Sequence, residues 1–594
     1  FLQESYEVVF PDADYSLQLT ALRIYASDTD SIVFVIPNSN TASAALLLSG
    51  SGDALCLQSG AILKNASGAG SGTPLAVGSS SFFRIENGAR YIHQTERGHT
   101  TGLVSRLSTA KGTEKGIFEF DVPGTAAYTV SISNRTYGAL HFTSRSAGTT
   151  RTYTGAGINP LRVRSDLRIS EKAIFSYGSN VNNIQVLGDC YVEENAQFNL
   201  SNGINSSTLQ LHGNLYMLGR MFQSGALATA TIEFNGNSDQ VVAGKGTWER
   251  NLQVALNNPN VLNIEDTIWL PANLYFNAGK IKVNENAMLG IRESFQIFRS
   301  NTTAFIEGTL ARIGESIIEF PVGHGELYAP LRLSAGNSAD SFYVSYHRNN
   351  PQYISGNIQV QDPLHHLSFV EYWKLQSNSM AGPRLISLWA GEASFVGDPS
   401  QMVVAQYGNP EWSSLGLYHF EPHENSYMWA TGFLHSEKAA DKYHFVTLAS
   451  IASTEINPLP VQLLFFKATL LAAGKVNLQW KLAEYPTHKI PFTIYRKDKN
   501  EKLKEIIIEE QNWSENSFSI MDSLPETGNY YYWISWEEDE ETRFSKVEQV
   551  RWKQHGQPII YPNPSSGNLF IKWNTQGKPF QIVIKDLTGR LYHK

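Results

Sequence analysis

The sequence predicts an all-β chain: an irregular parallel β-solenoid (a β-helix) followed by β-sandwich modules and a short, partial C-terminal β domain. Three observations predict it. A phrase of the form aliphatic–x–x–polar/Gly–Ala–x–apolar recurs at residues 85–91 (IENGARY), 169–175 (ISEKAIF), 192–198 (VEENAQF) and 283–289 (VNENAML). Phe175 and Phe198 are 23 residues apart, and Phe198 and Leu289 are 91 apart, close to four such steps. A period of about 20–25 residues built from short strands and Gly/Asn turns marks a β-solenoid, in which each coil buries its apolar face only by stacking on the next. The second observation is the lack of helical periodicity in the first 155 residues, with few long helical stretches in the rest. The third is composition: 42% hydrophobic and 12% aromatic residues supply packed cores, while charged residues are 17% against a usual level of about 25%.

Residues 1–155 alternate in the manner of short strands, at 31–36, 44–48 and 54–57, separated by Ser/Gly/Asn turns and a Gly-rich loop at 68–73. This region reads as the N-terminal, β-rich start of the solenoid, with a separate β-sandwich as the alternative. Residues 156–335 carry the clearest repeats. Gly188 and Gly213 lie 25 apart in matching contexts, Leu187-Gly188-Asp189-Cys190-Tyr191 and Leu211-His212-Gly213-Asn214-Leu215-Tyr216. Inward Ile, Val, Leu and Phe form the shared core, and Ala fills the corner where space is short. The variable coil length predicts an irregular right-handed helix. A second phrase, at 118–121, 232–235 and 318–321, spaces Glu119 and Glu233 by 114 residues, nearly five steps.

From 336 to 456 the repeats stop and aromatic strands at 342–347, 371–375, 384–389 and 402–407 predict an antiparallel sandwich. Residues 457–555 open on a proline-bounded linker, and 476–480, 492–496 and 530–536 follow as strands. The acidic run 537–541 sits where a hairpin tip belongs and reads as a solvated loop. Residues 556–594 begin with a proline-fixed segment and continue as strands at 569–573 and 581–585.

That last stretch contains Tyr561-Pro562-Asn563-Pro564, then Gly567, Leu569 and Ile571, and later Ile582-Val583-Ile584, Asp586 and Gly589-Arg590. In this order and spacing it resembles the type A C-terminal sorting domain of proteins exported by the type IX secretion system of Bacteroidota. Sorting domains of that family carry further strands after the Gly-Arg turn, so residues 556–594 match part of one. The resemblance makes Tyr561, Pro562, Asn563, Pro564, Gly567, Leu569, Asp586, Gly589 and Arg590 the sorting signal. It implies passage through the periplasm and recognition by the outer-membrane translocon and its shuttle protein, with delivery to the cell surface or the medium. Phe1 in place of Met fits a removed signal peptide. Residues 457–555 resemble the fibronectin type III-like module that often precedes the sorting domain, which implies a second sandwich with Trp480 as its core tryptophan.

Chemistry is sparse in the sequence. Net charge is −8 with no strongly basic block, which argues against nucleic acid. No run of 18 apolar residues is present, so no segment spans a membrane as a helix. Cys56 and Cys190 are too few for a zinc site and read as two buried thiols, a disulfide being the alternative. Register aligns Glu171, Glu194 and Glu285 on the solvent side of a corner, about 4.8 Å per coil apart. Glu171 and Glu194 are the candidate ligands for structural calcium; otherwise no cofactor is expected. Asp28-Thr29-Asp30 reads as a turn, His365-His366 as a surface loop, and the aromatics of 372–430 as core. No Gly-x-Ser-x-Gly, phosphate loop or dinucleotide fingerprint occurs. The expected role is non-enzymatic, adhesin-like or structural, with a surface glycan or protein as ligand. The alternative is a secreted carbohydrate-active β-helix enzyme, a lyase or hydrolase, which would need paired carboxylates and a basic residue on neighbouring coils.

Overall fold

Parallel stacking begins with the first described strand. The structure, a computed structural model, describes residues 5–26, 31–157, 159–179, 182–226, 229–249, 252–292, 295–336, 340–351, 354, 359–377, 384–394, 396, 398–408, 410–416, 419–422, 428–434, 443–453, 463–471, 474–482, 492–498, 503–507, 517–538, 541–552, 559–561, 570–572, 584–585 and 591–593. Their regular structure is nearly all β, with about 13 solenoid turns. The chain divides into two units, Phe1–Leu459 and Pro460–Lys594.

In the first unit, each coil contributes to parallel ladders. One ladder starts with Ser5–Val9, Ser31–Ile36, Ala61–Asn65, Arg90–His93, Ile117–Phe120 and Ala139–Phe142. It continues through Leu167–Ile169, Cys190–Val192, Leu215–Met217 and Gln240–Ala243. The described residues up to 155 are therefore coils of the same solenoid, not a separate sandwich. A second ladder runs through Arg151–Gly157, Ala173–Ser179, Gln197–Asn199, Arg220–Phe222 and Thr247–Trp248. A third includes Leu161–Val163, Asn182–Val186, Ser207–Leu211 and Ala230–Phe234. Residues alternate inward and outward along each strand, so Leu167 and Ile169, Cys190 and Val192, and Leu215 and Met217 form continuous interior columns with no exposed surface. Phe120, Phe142, Phe175 and Phe198 stack in series inside, with centroids 5.6, 4.4 and 5.3 Å apart.

The repeated phrase is a corner turn. The backbone N–H groups of Ala89, Ala173, Ala196 and Ala287 each donate to the carbonyl three residues back, on Glu86, Ser170, Glu193 and Asn284, at 2.9–3.1 Å. All four alanines are buried. The phrases at 169–175 and 192–198 lead out of the first ladder, while IENGARY leads into it at Arg90, so one local solution serves two corners. Gly213 donates to the carbonyl of Gly188 at 3.1 Å, and a Cβ on Gly213 would collide with that same carbonyl. Side chains reinforce this corner: Asp166 accepts from the Asp189 N–H at 3.0 Å, Asp189 from the Asn214 N–H at 2.7 Å, and Asn214 from the Val241 N–H at 2.8 Å. Cys56 and Cys190 are buried free thiols, and burial pushes the Cys190 thiol up to about 12.

The sandwich expected from residue 336 is fused to the solenoid. Leu310–Gly314 pairs in parallel with Leu289–Ile291 on one side and antiparallel with Asp340–His347 on the other. That sheet continues through Tyr372–Ser377, Tyr443–Ser450, Met402–Tyr407 and Trp412–Ser414. The second sheet holds Ile318–Phe320, Leu331–Leu333, Arg384–Ala390, Met428–Leu434 and His419–Pro422. Its core residues, among them Phe342, Trp373, Leu388 and Met402, belong to the same hydrophobic cluster as the coils.

The second unit has its own core. Leu463–Leu470, Lys475–Leu482 and Ser517–Ser523 form one antiparallel sheet. Phe492–Asp498, Leu503–Ile507, Gly528–Glu538, Glu541–Phe544 and Glu548–Trp552 form another. Trp480 is fully buried and stacks on Phe518 at 5.6 Å. Glu538 pairs with Glu541, which places the acidic run at a hairpin, as the sequence suggests. Beyond it, Ile559–Tyr561 pairs with Phe570–Lys572, and Ile584–Lys585 with Leu591–His593. Pro562, Asn563, Pro564, Gly567, Leu569, Asp586, Gly589 and Arg590 lie outside the described residues.

Candidate functional site

The inward side chains of the first ladder leave one outward residue per coil between them. Glu119, His141, Arg168, Tyr191 and Tyr216 are successive partners in register. They form a column along the solenoid surface beside a shallow pocket of about 360 Å³, lined also by Arg90, Lys115, Arg145, Asp166, Glu171 and Glu193.

Glu119 points away from the core, yet its side chain is only 2% exposed because its neighbours fold over it. Arg90 donates to its Oε2, and Arg145 Nη1 lies 3.7 Å from its Oε1. Oε1 has no hydrogen-bond partner although it is buried. Burial pushes the Glu119 carboxyl up, against the pull of Arg90 and Arg145. His141 Nδ1 sits 3.9 Å from Glu119. Burial, with Arg168 and Arg90 nearby, holds that imidazole down to about 3, so it is neutral at ordinary pH and its contact with Glu119 is not an ion pair.

Further along the column the polar groups pair. Arg168 donates to Glu193 at 2.6 Å and lies 4.3 Å from the centroid of the Tyr191 ring. The Tyr191 and Tyr216 rings stack 4.8 Å apart and within 10° of parallel. The Tyr191 hydroxyl donates to Asp189 at 3.1 Å, and burial together with Asp189 pushes it up to about 12. The face thus combines donors, acceptors and a flat aromatic surface. Such a set binds hydroxyl-rich rings: the hydroxyls find partners of both kinds and the ring faces find the tyrosines.

Expected and observed residues diverge here. Glu171 reaches the rim of this pocket but Glu194 does not; Glu193 does instead. Both candidate calcium ligands are exposed, and among the described residues no group of three or more His, Cys, Asp or Glu is placed to hold a metal. Glu119 and Glu233 are not equivalent, because Glu233 belongs to the third ladder and Glu319 to the sandwich. His365 is exposed, whereas His366 is buried in a short strand against Ser450, which corrects the surface-loop reading for that residue. Trp373, Trp389, Trp412 and Trp429 are all buried, as core packing requires. Asp28-Thr29-Asp30 lies outside the described residues.

Arg90, His141, Arg145, Arg168 and Glu193 were not singled out by sequence. Successive column residues are separated by 22, 27, 23 and 25 positions, so a fixed period of 23 slides off the column after one coil. No protein-family model matches the chain, and no curated protein matches it.

Proposed function

We propose that this chain is an exported, cell-surface or secreted protein that binds an extended glycan along the solenoid without chemically altering it. The observation that carries the binding role is the Glu119–His141–Arg168–Tyr191–Tyr216 column. It offers one side chain per coil at the strand spacing, in line with an extended ligand lying across successive coils. Most of its charges are already paired with one another, as suits recognition of hydroxyl groups more than of strong ions. Affinity electrophoresis or calorimetry against a panel of soluble polysaccharides tests it. At least one glycan should bind the wild-type chain and lose affinity in Tyr191→Ala and Tyr216→Ala; a panel with no binder, or variants that bind unchanged, sinks the reading.

In the same proposal the C-terminal motif from Tyr561 to Arg590 directs export by the type IX route through its translocon and shuttle protein. The two-sheet module before it supports a fibronectin type III-like spacer: the Tyr530 hydroxyl donates to the Glu526 carbonyl, four residues upstream, at 2.7 Å, in the manner of a tyrosine corner. Deleting residues after Gly556 in a type IX-competent host should leave the protein in the periplasm. Equal surface delivery with and without the tail refutes the export reading.

One observation favours a second reading, a carbohydrate-active enzyme. Glu119, with its carboxyl pushed up, sits beside the neutral His141, an arrangement that could exchange protons with a bound substrate. Release of reducing ends from a bound polysaccharide, abolished by Glu119→Gln, would establish that reading.

A further inference from the structure

Where Leu310–Gly314 changes from parallel to antiparallel pairing, a second pocket of about 440 Å³ opens. Gln296, Ser300, Ile317, Glu319 and Arg332 line it around Arg312. Arg312 is 7% exposed. Its Nη1 donates to the Glu319 carbonyl at 3.2 Å and its Nη2 to the Phe295 carbonyl at 3.0 Å, while its buried Nε has no partner. A guanidinium carries five N–H donors, so these two bonds leave most of its capacity unused.

Its charge is only partly offset, by the Glu319 carboxylate. Among the described residues no carboxylate comes within ion-pair range of Arg312, and Glu319, the acid lining the same pocket, is taken by Arg332 at 3.1 Å. Burial draws the Arg312 guanidinium down to about 10, against the weaker pull of Glu319. A buried, unpaired charge is costly, and a planar fork of donors fits a carboxylate in two-point contact. Two arginines against one glutamate leave the pocket with a net positive charge. The volume lies within the range of roughly 300–1,000 Å³ typical of small-molecule sites, and the polar lining suits a ligand that also carries hydroxyl groups.

We propose that this pocket binds a small hydroxylated carboxylic acid, of sugar-acid size, through its carboxylate on Arg312 with Arg332 at the rim. The site is separate from the glycan column and stands or falls independently of it. A reporter is built in: the Arg332 guanidinium lies 4.3 Å from the centroid of the Trp429 ring, which packs edge-on against Trp389 at 5.0 Å.

The test titrates the purified full chain with sodium glucuronate, with glucose and with sodium chloride at matched ionic strength, following tryptophan fluorescence and the melting temperature. Glucuronate should give a saturable change and raise the melting temperature, and neither control should. Arg312→Lys should weaken binding about tenfold or more by losing two-point contact, and Arg312→Met should abolish it. Arg332 is half-buried, so Arg332→Gln tests the pocket even if Arg312→Met fails to fold; it should also weaken binding. Tyr191→Ala, on the glycan column, should bind glucuronate as wild type does. A wild-type response no greater to glucuronate than to glucose overturns the proposal. So do Arg312→Lys and Arg332→Gln variants that bind unchanged, or loss of the response in Tyr191→Ala.

Discussion

An outward carboxylate with 2% exposure is held by its neighbours, and Glu119 depends on Arg90 and Arg145 for that. Removing it strips a partner from Arg90, whose side chain is 30% exposed and recovers hydration. Glu119→Ala should therefore cost stability modestly, on the order of 1–2 kcal/mol in chemical denaturation, less than breaking a fully buried pair. Further along the column, the half-buried Tyr191 ring lies between the Arg168 guanidinium and the Tyr216 ring, and its hydroxyl donates to Asp189, so truncating it removes contacts within the column as well as ligand surface. Tyr191→Ala should weaken glycan binding about three- to tenfold in calorimetry, the worth of one aromatic contact, and lower the melting temperature slightly.

The buried histidines set a pH response. Burial pulls His93 well below its ordinary value of 6.5, His141 to about 3, and His99, His347 and His444 to about 4. Each is neutral when folded and takes up a proton when the chain unfolds below its ordinary value. The stability they contribute is complete above about pH 6.5 and is lost as pH falls toward 4. Glu119 and Glu371, whose carboxyls burial pushes up, act in the opposite sense, but they are two groups against five. The melting temperature of the first unit should fall steeply between pH 6.5 and 4, and should fall again above about pH 9, where the buried Cys190 thiol and Tyr153 phenol ionise only on unfolding; a flat profile between pH 6.5 and 4 would contradict the burial of these rings.

At the scale of the element, the corner turn decides the coil. Ala196 is fully buried immediately after a turn in which Asn195 takes a φ of 67°, a conformation asparagine tolerates better than most residues. Ala196→Leu should cost about 1–3 kcal/mol by overpacking. Gly213→Ala should destabilise as well, since its Cβ meets the backbone of the coil beneath and not a side chain that can turn away. Denaturant midpoints of the two variants check both. This level of organisation was readable in the sequence because the turn is local: a polar triplet closed by Ala appears as a repeated phrase wherever it occurs. Tyr191 and Tyr216 were matched correctly for the same reason, since Gly188 and Gly213 precede them at one corner. The Glu119 column was not readable. Its members sit on coils of unequal length, so their neighbourhood is fixed by insertions in loops on other sides of the helix. The equation of Glu119 with Glu233 failed there, with two similar apolar-Glu-apolar strands assigned to one ladder when they lie on two.

At the scale of the molecule, the first unit does not split at residue 335. Phe342 and Trp373 share a hydrophobic cluster with the coils, and Leu310–Gly314 belongs to both architectures. A fragment ending at 335 would expose that strand's antiparallel edge and half of the sandwich core, whereas one ending at 459 keeps both. The longer fragment should be monomeric by light scattering and melt in one transition; the shorter should aggregate. Sequence reading drew a boundary at 335 because the repeats end there. Loss of a repeat marks a change in strand direction as readily as it marks the end of a core.

The reversal at Leu310–Gly314 also bears on self-assembly. A stack of parallel coils is in principle an open-ended template, since its last rung offers the next chain the same row of amides and carbonyls that the previous coil used. Here the ladder that ends at Leu310–Gly314 is already occupied by Asp340–His347 running the other way. A second copy cannot add a coil at this end without first stripping that strand off, so the molecule carries its own terminator against filament growth in the direction in which its repeats would otherwise continue.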